Sequence, residues 1–119
     1  MPGKPEAAHE LYHRLMQMQE QAFGNGQFQV SFHLLAAAVH AAEELKSVAL
    51  LEELAALANS RQEALDRKEP VHAISTAAAH GRGNSALFAT LATTANATRA
   101  RIAADVVVGR SRERPERTD

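Results

Sequence analysis

The stretch Ala22-Phe23-Gly24-Asn25-Gly26-Gln27-Phe28-Gln29-Val30-Ser31-Phe32, continued to Ala38-Val39, decides the fold. On its N-terminal side Ala8, Leu11, Tyr12, Leu15, Met18, Ala22 and Phe23 recur at helical spacing and fall on one arc. They predict a helix over about residues 6–23, with Glu6 and Glu10 near the positive end of its dipole. Gly24-Asn25-Gly26 then ends it, because both residue types accept the left-handed conformation of a helix C-terminus. Beyond the bend Phe28, Ser31, Phe32, Leu35, Ala38, Val39 and Ala42 form a second stripe, on a helix over about 27–45. Ala36-Ala37-Ala38 and Ala41-Ala42 carry so little bulk that a neighbouring helix can sit near the short end of the usual spacing, about 8 Å. Two apolar-striped helices, a glycine bend between them and small residues at their crossing predict an antiparallel helical hairpin.

Outward from the hairpin, the chain divides at its Gly, Pro and Ser positions. Ser47 is placed to cap a third helix running to about Lys68, with one long bent helix as the alternative. Val48, Leu51, Ala55, Ala58 and Leu65 stripe that helix, and Leu50, Leu54 and Leu57 widen the stripe. A helix so broadly apolar is packed on two sides, which places it in the middle of a bundle. Pro70 stops it, since the residue before proline is pushed out of helical geometry. Val71 to His80 can form a short helix, and Gly81-Arg82-Gly83 breaks the chain again. Asn84 or Ser85 can cap a last helix, in which Leu87, Phe88, Leu91, Ala95, Ile102 and Val106 recur at helical spacing. Residues 1–5 and the charged stretch from Gly109 to Asp119 have nothing to bury and are expected to be disordered. The expectation is all-α: one domain over 6–108, a small bundle of four or five helices built on the hairpin.

Composition agrees. Roughly a fifth of the 119 residues are alanine, the best intrinsic helix former. Aromatic residues make up 4% and Trp is absent, which argues against a strand-built sandwich or barrel. With no cysteine, disulfides and thiolate metal sites are excluded, and the cytoplasm is the expected compartment. A formal net charge of -1 gives no cationic excess for nucleic acid. No apolar run approaches the roughly 18 residues of a membrane span, so neither partner is expected.

Residues 11–39 resemble a single tetratricopeptide repeat. Leu15 lies at that family's first large apolar position, Gly26 in its bend and Phe28 at the aromatic position that follows. Ser31 stands for the usual small alanine, Phe32 and Leu35 fill the next apolar positions, and Ala38-Val39 close the pattern. Three positions depart: Gln19 stands where a small residue is usual, Ala22 replaces an aromatic, and Glu43 replaces the proline that ends a repeat. Shifted one repeat onward, the pattern meets Ala49, Ser60, Gln62 and Leu65 and fails. The resemblance implies a hairpin completed by other helices or by another copy, and a protein-binding role on a concave surface.

The residues themselves offer one contact surface and one alternative. Gln29, His33, Ala36 and His40 flank the second helix's apolar stripe and carry little bulk between them, which suits a protein or peptide partner lying across the helix. The breadth of the third helix's apolar face also allows a homo-oligomer. No catalytic group or cofactor is expected on this view. The alternative is a metal-binding or metal-dependent hydrolase built on His9-Glu10-Leu11-Tyr12-His13. This H-E-x-x-H pattern sets two imidazoles on one helical face for Zn²⁺, with a glutamate to polarise the bound water. Its two histidines lie to the side of the Leu11/Leu15 stripe, and Glu10 points further out still. Arg82, between two glycines, is a further candidate anion contact. The acidic pairs Glu43-Glu44 and Glu52-Glu53 diverge around their helices and read as solvated faces.

Overall fold

A computed structural model of the chain describes residues 5–69, 72, 75 and 86–113, with the backbone alone at 5 and 109–113. Four helices make up the described residues: α1 (Pro5–Gly24), α2 (Phe28–Glu44), α3 (Val48–Lys68) and α4 (Leu87–Glu113). There is no strand among them.

The two short connections are built alike. At the first, the Gln27 N–H donates to the Ala22 carbonyl at 2.8 Å and the Gly26 N–H to the Phe23 carbonyl at 3.1 Å. Gly26 holds φ +80. This Schellman pair of bonds satisfies carbonyls that the helix end leaves open. At the second, Ser47 N–H bonds to Ala42 and Lys46 N–H to Glu43 in the same pattern, but the left-handed position belongs to Lys46 at φ 53. Ser47 then turns around and caps α3, its Oγ accepting from the Leu50 N–H at 3.1 Å. The break here separates α2 from α3, and the long bent helix is not formed.

The start of α4 is capped from across the bundle. The Phe88 N–H donates to Oε1 of Gln62 at 3.2 Å, and Nε2 of Gln62 donates to Oδ1 of Asp66 at 3.1 Å. Gln62 is buried for this purpose, since an orphan N–H at a helix start must find an acceptor. The expected short helix at 71–80, the Gly81-Arg82-Gly83 break and the Asn84 and Ser85 caps lie outside the described residues, His72 and Ser75 excepted. Those two continue from α3 through N–H bonds to Glu69 and His72 respectively.

Helix α1 packs on α2 and α3 on α4, while α2 also meets both α3 and α4. Small residues make these approaches possible: Ala22, Ser31, Ala38, Ala42, Ala58 and Ala95 are all buried. All four phenylalanines join the helices. Phe23 meets Phe28 at 4.9 Å and Phe88 at 6.1 Å edge-on, and Phe32 meets Phe88 at 5.7 Å. Leu35, Leu51, Leu54 and Leu65 complete a fully enclosed interior. Each such side chain is worth about 1.5–3 kcal/mol of burial. The third helix is packed on two sides, as its broad stripe requires.

Three details differ from the sequence expectation. Leu11 and Met18 are about half exposed, so the buried arc of α1 is narrower and is carried by Tyr12, Gln19, Ala22 and Phe23. Ile102 is the last buried side chain among the described side chains of α4, with Val106 exposed, yet the helix runs through Gly109 to Glu113. One glycine inside a helix costs only about 1 kcal/mol, less than is needed to end it. The acidic pairs, finally, are shared out among neighbours. Glu43 binds Arg101 at 2.7 Å, Glu52 lies 3.8 Å from Arg99, and Glu53 accepts from Tyr12.

Candidate functional site

Helices α1 and α3 both pack on α2, and side chains bridge them. Two hydrogen bonds fix their register: Tyr12 Oη donates to Glu53 at 3.3 Å, and Arg61 Nε donates to Oε1 of Gln19 at 3.3 Å. The partners are 41 and 42 residues apart, which sets Tyr12 beside Glu53 and Gln19 beside Arg61. Between the helices opens a cleft of about 440 Å³ lined by His13, Met16, Gln17, Gln19, Glu20, Leu57 and Arg61.

Its most constrained group is Arg61. The guanidinium carbon sits 4.6 Å from the centre of the Phe23 ring, a cation–π contact that clamps one face of the fork. Gln19 holds the edge. That side chain is buried, its amide nitrogen donating to the Met16 carbonyl at 3.1 Å and its oxygen receiving Arg61 Nε. Both partners are uncharged. Burial pushes the guanidinium below its ordinary pKa, and the charge of Glu20 acts in the other direction. Yet no carboxylate of the described residues comes within ion-pair distance of Arg61. A second cleft, between α3 and α4, differs in this respect: its Arg99 has Glu52 at 3.8 Å.

Tyr12, at the other end of the α1–α3 seam, is buried and its phenol is pushed up to about 12. Desolvation is the larger cause, followed by the Glu53 charge and the hydrogen bond to it.

The expected contact surface lies elsewhere. Gln29, His33 and His40 are exposed on α2, and Ala36 is partly buried against the core. They form one flank of the helix and line no part of the α1–α3 cleft. His33 stacks edge-on against Phe32 at 5.2 Å, and His40 lies 3.9 Å from Glu43, the carboxylate already held by Arg101. His9 and His13 of the H-E-x-x-H pattern are exposed, and Glu10 is engaged by Arg14 at 2.8 Å. Among the described residues no group of three or more His, Cys, Asp or Glu is placed to hold a metal ion. His13 instead faces the cleft. Arg82 falls outside the described residues.

No model of a known protein family matches the chain, and neither a curated protein nor a solved structure matches it. Function then follows from the two surfaces alone.

Sequence reasoning did not find Gln19 and Arg61. A signal existed for the first: Gln19 stands seven residues after Tyr12 and four after Leu15, on the buried arc, where an uncompensated amide is costly. It is also the residue that breaks the repeat pattern. For Arg61 no local signal exists, because its partner comes from another helix.

Proposed function

We propose that this chain is a non-catalytic helical interaction module, a tetratricopeptide-like adaptor working in the cytoplasm. It takes a protein or peptide partner, or a second copy of itself, by helix-in-groove binding. The observation that carries this reading is the α1–α3 cleft, an open trough with two apolar side chains between polar rims. Support also comes from the hairpin crossing, where buried Ser31 stands at the small-residue position of the repeat family's pattern and buried Ala38 closes it. The flank of Gln29, His33, Ala36 and His40 offers a second, separate contact surface on α2. No helix of the described residues is long and apolar enough to cross a membrane.

The test is isolation of the untagged chain from its native cell, with intact-mass measurement of what accompanies it. The expected result is a stoichiometric complex, heteromeric or homomeric. The chain alone, at 12.8 kDa across all concentrations tried, overturns the reading. If the α2 flank is the contact, the double variant His33→Ala/His40→Ala weakens the complex about tenfold, or 1.4 kcal/mol, with an unchanged melting temperature. Stoichiometric zinc lost in His9→Ala/His13→Ala would also overturn it, in favour of the metal-dependent alternative.

A further inference from the structure

The α1–α3 cleft has a chemical preference written into it. Arg61 is a partly desolvated cation whose neighbours, the Phe23 ring and the Gln19 amide, orient it without neutralising it. A cation withdrawn from water is costly until an anion is supplied. The planar fork, fixed on one face and at Nε, keeps its two terminal nitrogens for an incoming oxygen pair, the geometry in which arginine takes a carboxylate. Towards the N-termini, Met16 of α1 and Leu57 of α3 both line the cleft, partly buried against the core. Two apolar side chains suit one residue of a peptide and are too little for an acyl chain. Glu20 lines the same cleft, and its charge acts on Arg61 from beyond ion-pair distance. A run of acids, or a doubly charged phosphate, would meet Glu20 as well as Arg61 and be repelled.

We propose that the cleft seats a peptide segment of a partner protein that places a single acidic side chain on Arg61 and an adjacent apolar side chain on Met16 and Leu57. This rests on the interaction-module reading and specifies what that module selects. Glu20 is the element that rejects polyanionic competitors, and Gln19 is a positioning residue beneath Arg61.

Three blocked tripeptides test it on the full chain: leucine–glutamate–leucine, its glutamine counterpart and its phosphoserine counterpart. Binding is followed by NMR through the Arg61 Nε–H and Gln19 side-chain amide signals. The glutamate peptide is expected to shift both signals saturably, with about tenfold higher affinity than the glutamine peptide, the 1.4 kcal/mol expected of a charge-assisted bond. Arg61→Lys keeps the positive charge but loses the fork, and is expected to lose severalfold in affinity while the far-UV spectrum stays unchanged. Glu20→Gln is expected to admit the phosphoserine peptide, which the natural chain rejects. Equal affinity for the glutamate and glutamine peptides, or no saturable shift, overturns the proposal. So does unchanged binding by Arg61→Lys. Shifts confined to Gln29, His33 and His40 overturn it too, while leaving the interaction module standing on its α2 flank. A chain that binds the glutamate peptide but purifies without any partner fails the module reading instead.

Discussion

Ser31 and Tyr12 show how differently two buried hydroxyls are treated. Ser31 is fully enclosed at the hairpin crossing, and its Oγ has no hydrogen-bond partner. It is tolerated because the crossing demands a small side chain, and serine differs from alanine by one atom. Ser31→Ala should therefore stabilise the fold by about 1 kcal/mol, removing an unsatisfied group and improving helix propensity together. A urea unfolding midpoint that falls on this substitution would mean that the hydroxyl has a partner after all. Tyr12 spends its hydroxyl on Glu53. Its folded-state pKa is raised from 10.0 to about 12, so the unfolded chain gives up the phenol proton first. The stability tied to the neutral phenol is complete below pH 10 and is lost as pH rises towards 12. With one tyrosine in the chain, phenolate absorbance reads this directly. Folded protein should titrate near 12 and denatured protein near 10, and coincident curves would contradict the buried Tyr12–Glu53 contact.

At the scale of elements, the helices were legible because their ends are chemical. Gly26 marks the first connection with a left-handed residue, and Ser47 marks the second with a capping oxygen. What could not be read was how one hairpin sits on the next. The seam between α1 and α3 has a register of 41 and 42 residues, against the roughly 34 of a tetratricopeptide repeat. Residues spaced by the shorter repeat length therefore do not stand opposite one another across this seam. For the same reason the Arg61 clamp was invisible: its ring, its amide and its facing acid all come from α1. The α2 flank was legible because it needs one helix only. The two connections also make a matched experiment. Gly26 and Lys46 occupy the same left-handed place, and a Cβ at Gly26 would touch nothing within 4 Å, so only backbone strain decides. Lys46→Gly should stabilise by about 0.5–1 kcal/mol and Gly26→Ala should destabilise by about 1 kcal/mol. Urea midpoints moving in the same direction would show that the two turns are not equivalent.

For the whole molecule the question is whether the two hairpins share one core, and Phe88 answers it. It belongs to α4, is completely buried, and its ring meets Phe23 of α1 and Phe32 of α2. Its own N–H is held by Gln62 of α3, so all four helices converge on one residue. The tie from Glu43 of α2 to Arg101 of α4 is largely exposed, and pairs of that kind contribute at most about 1 kcal/mol. Cohesion between the hairpins thus rests on apolar packing. Phe88→Ala should cost about 3–5 kcal/mol, the range for emptying an aromatic site that cannot collapse. Against a total of about 5–15 kcal/mol this is a large fraction of the stability. Because the same ring closes the α1–α2 hairpin, amide exchange in α1 should accelerate in step with that in α4, and calorimetry should still show one transition at a lower temperature. If α4 loosened alone while α1 and α2 kept their protection, the first hairpin would be an independent folding unit, and the α1–α3 cleft would open and close with the docking of the second.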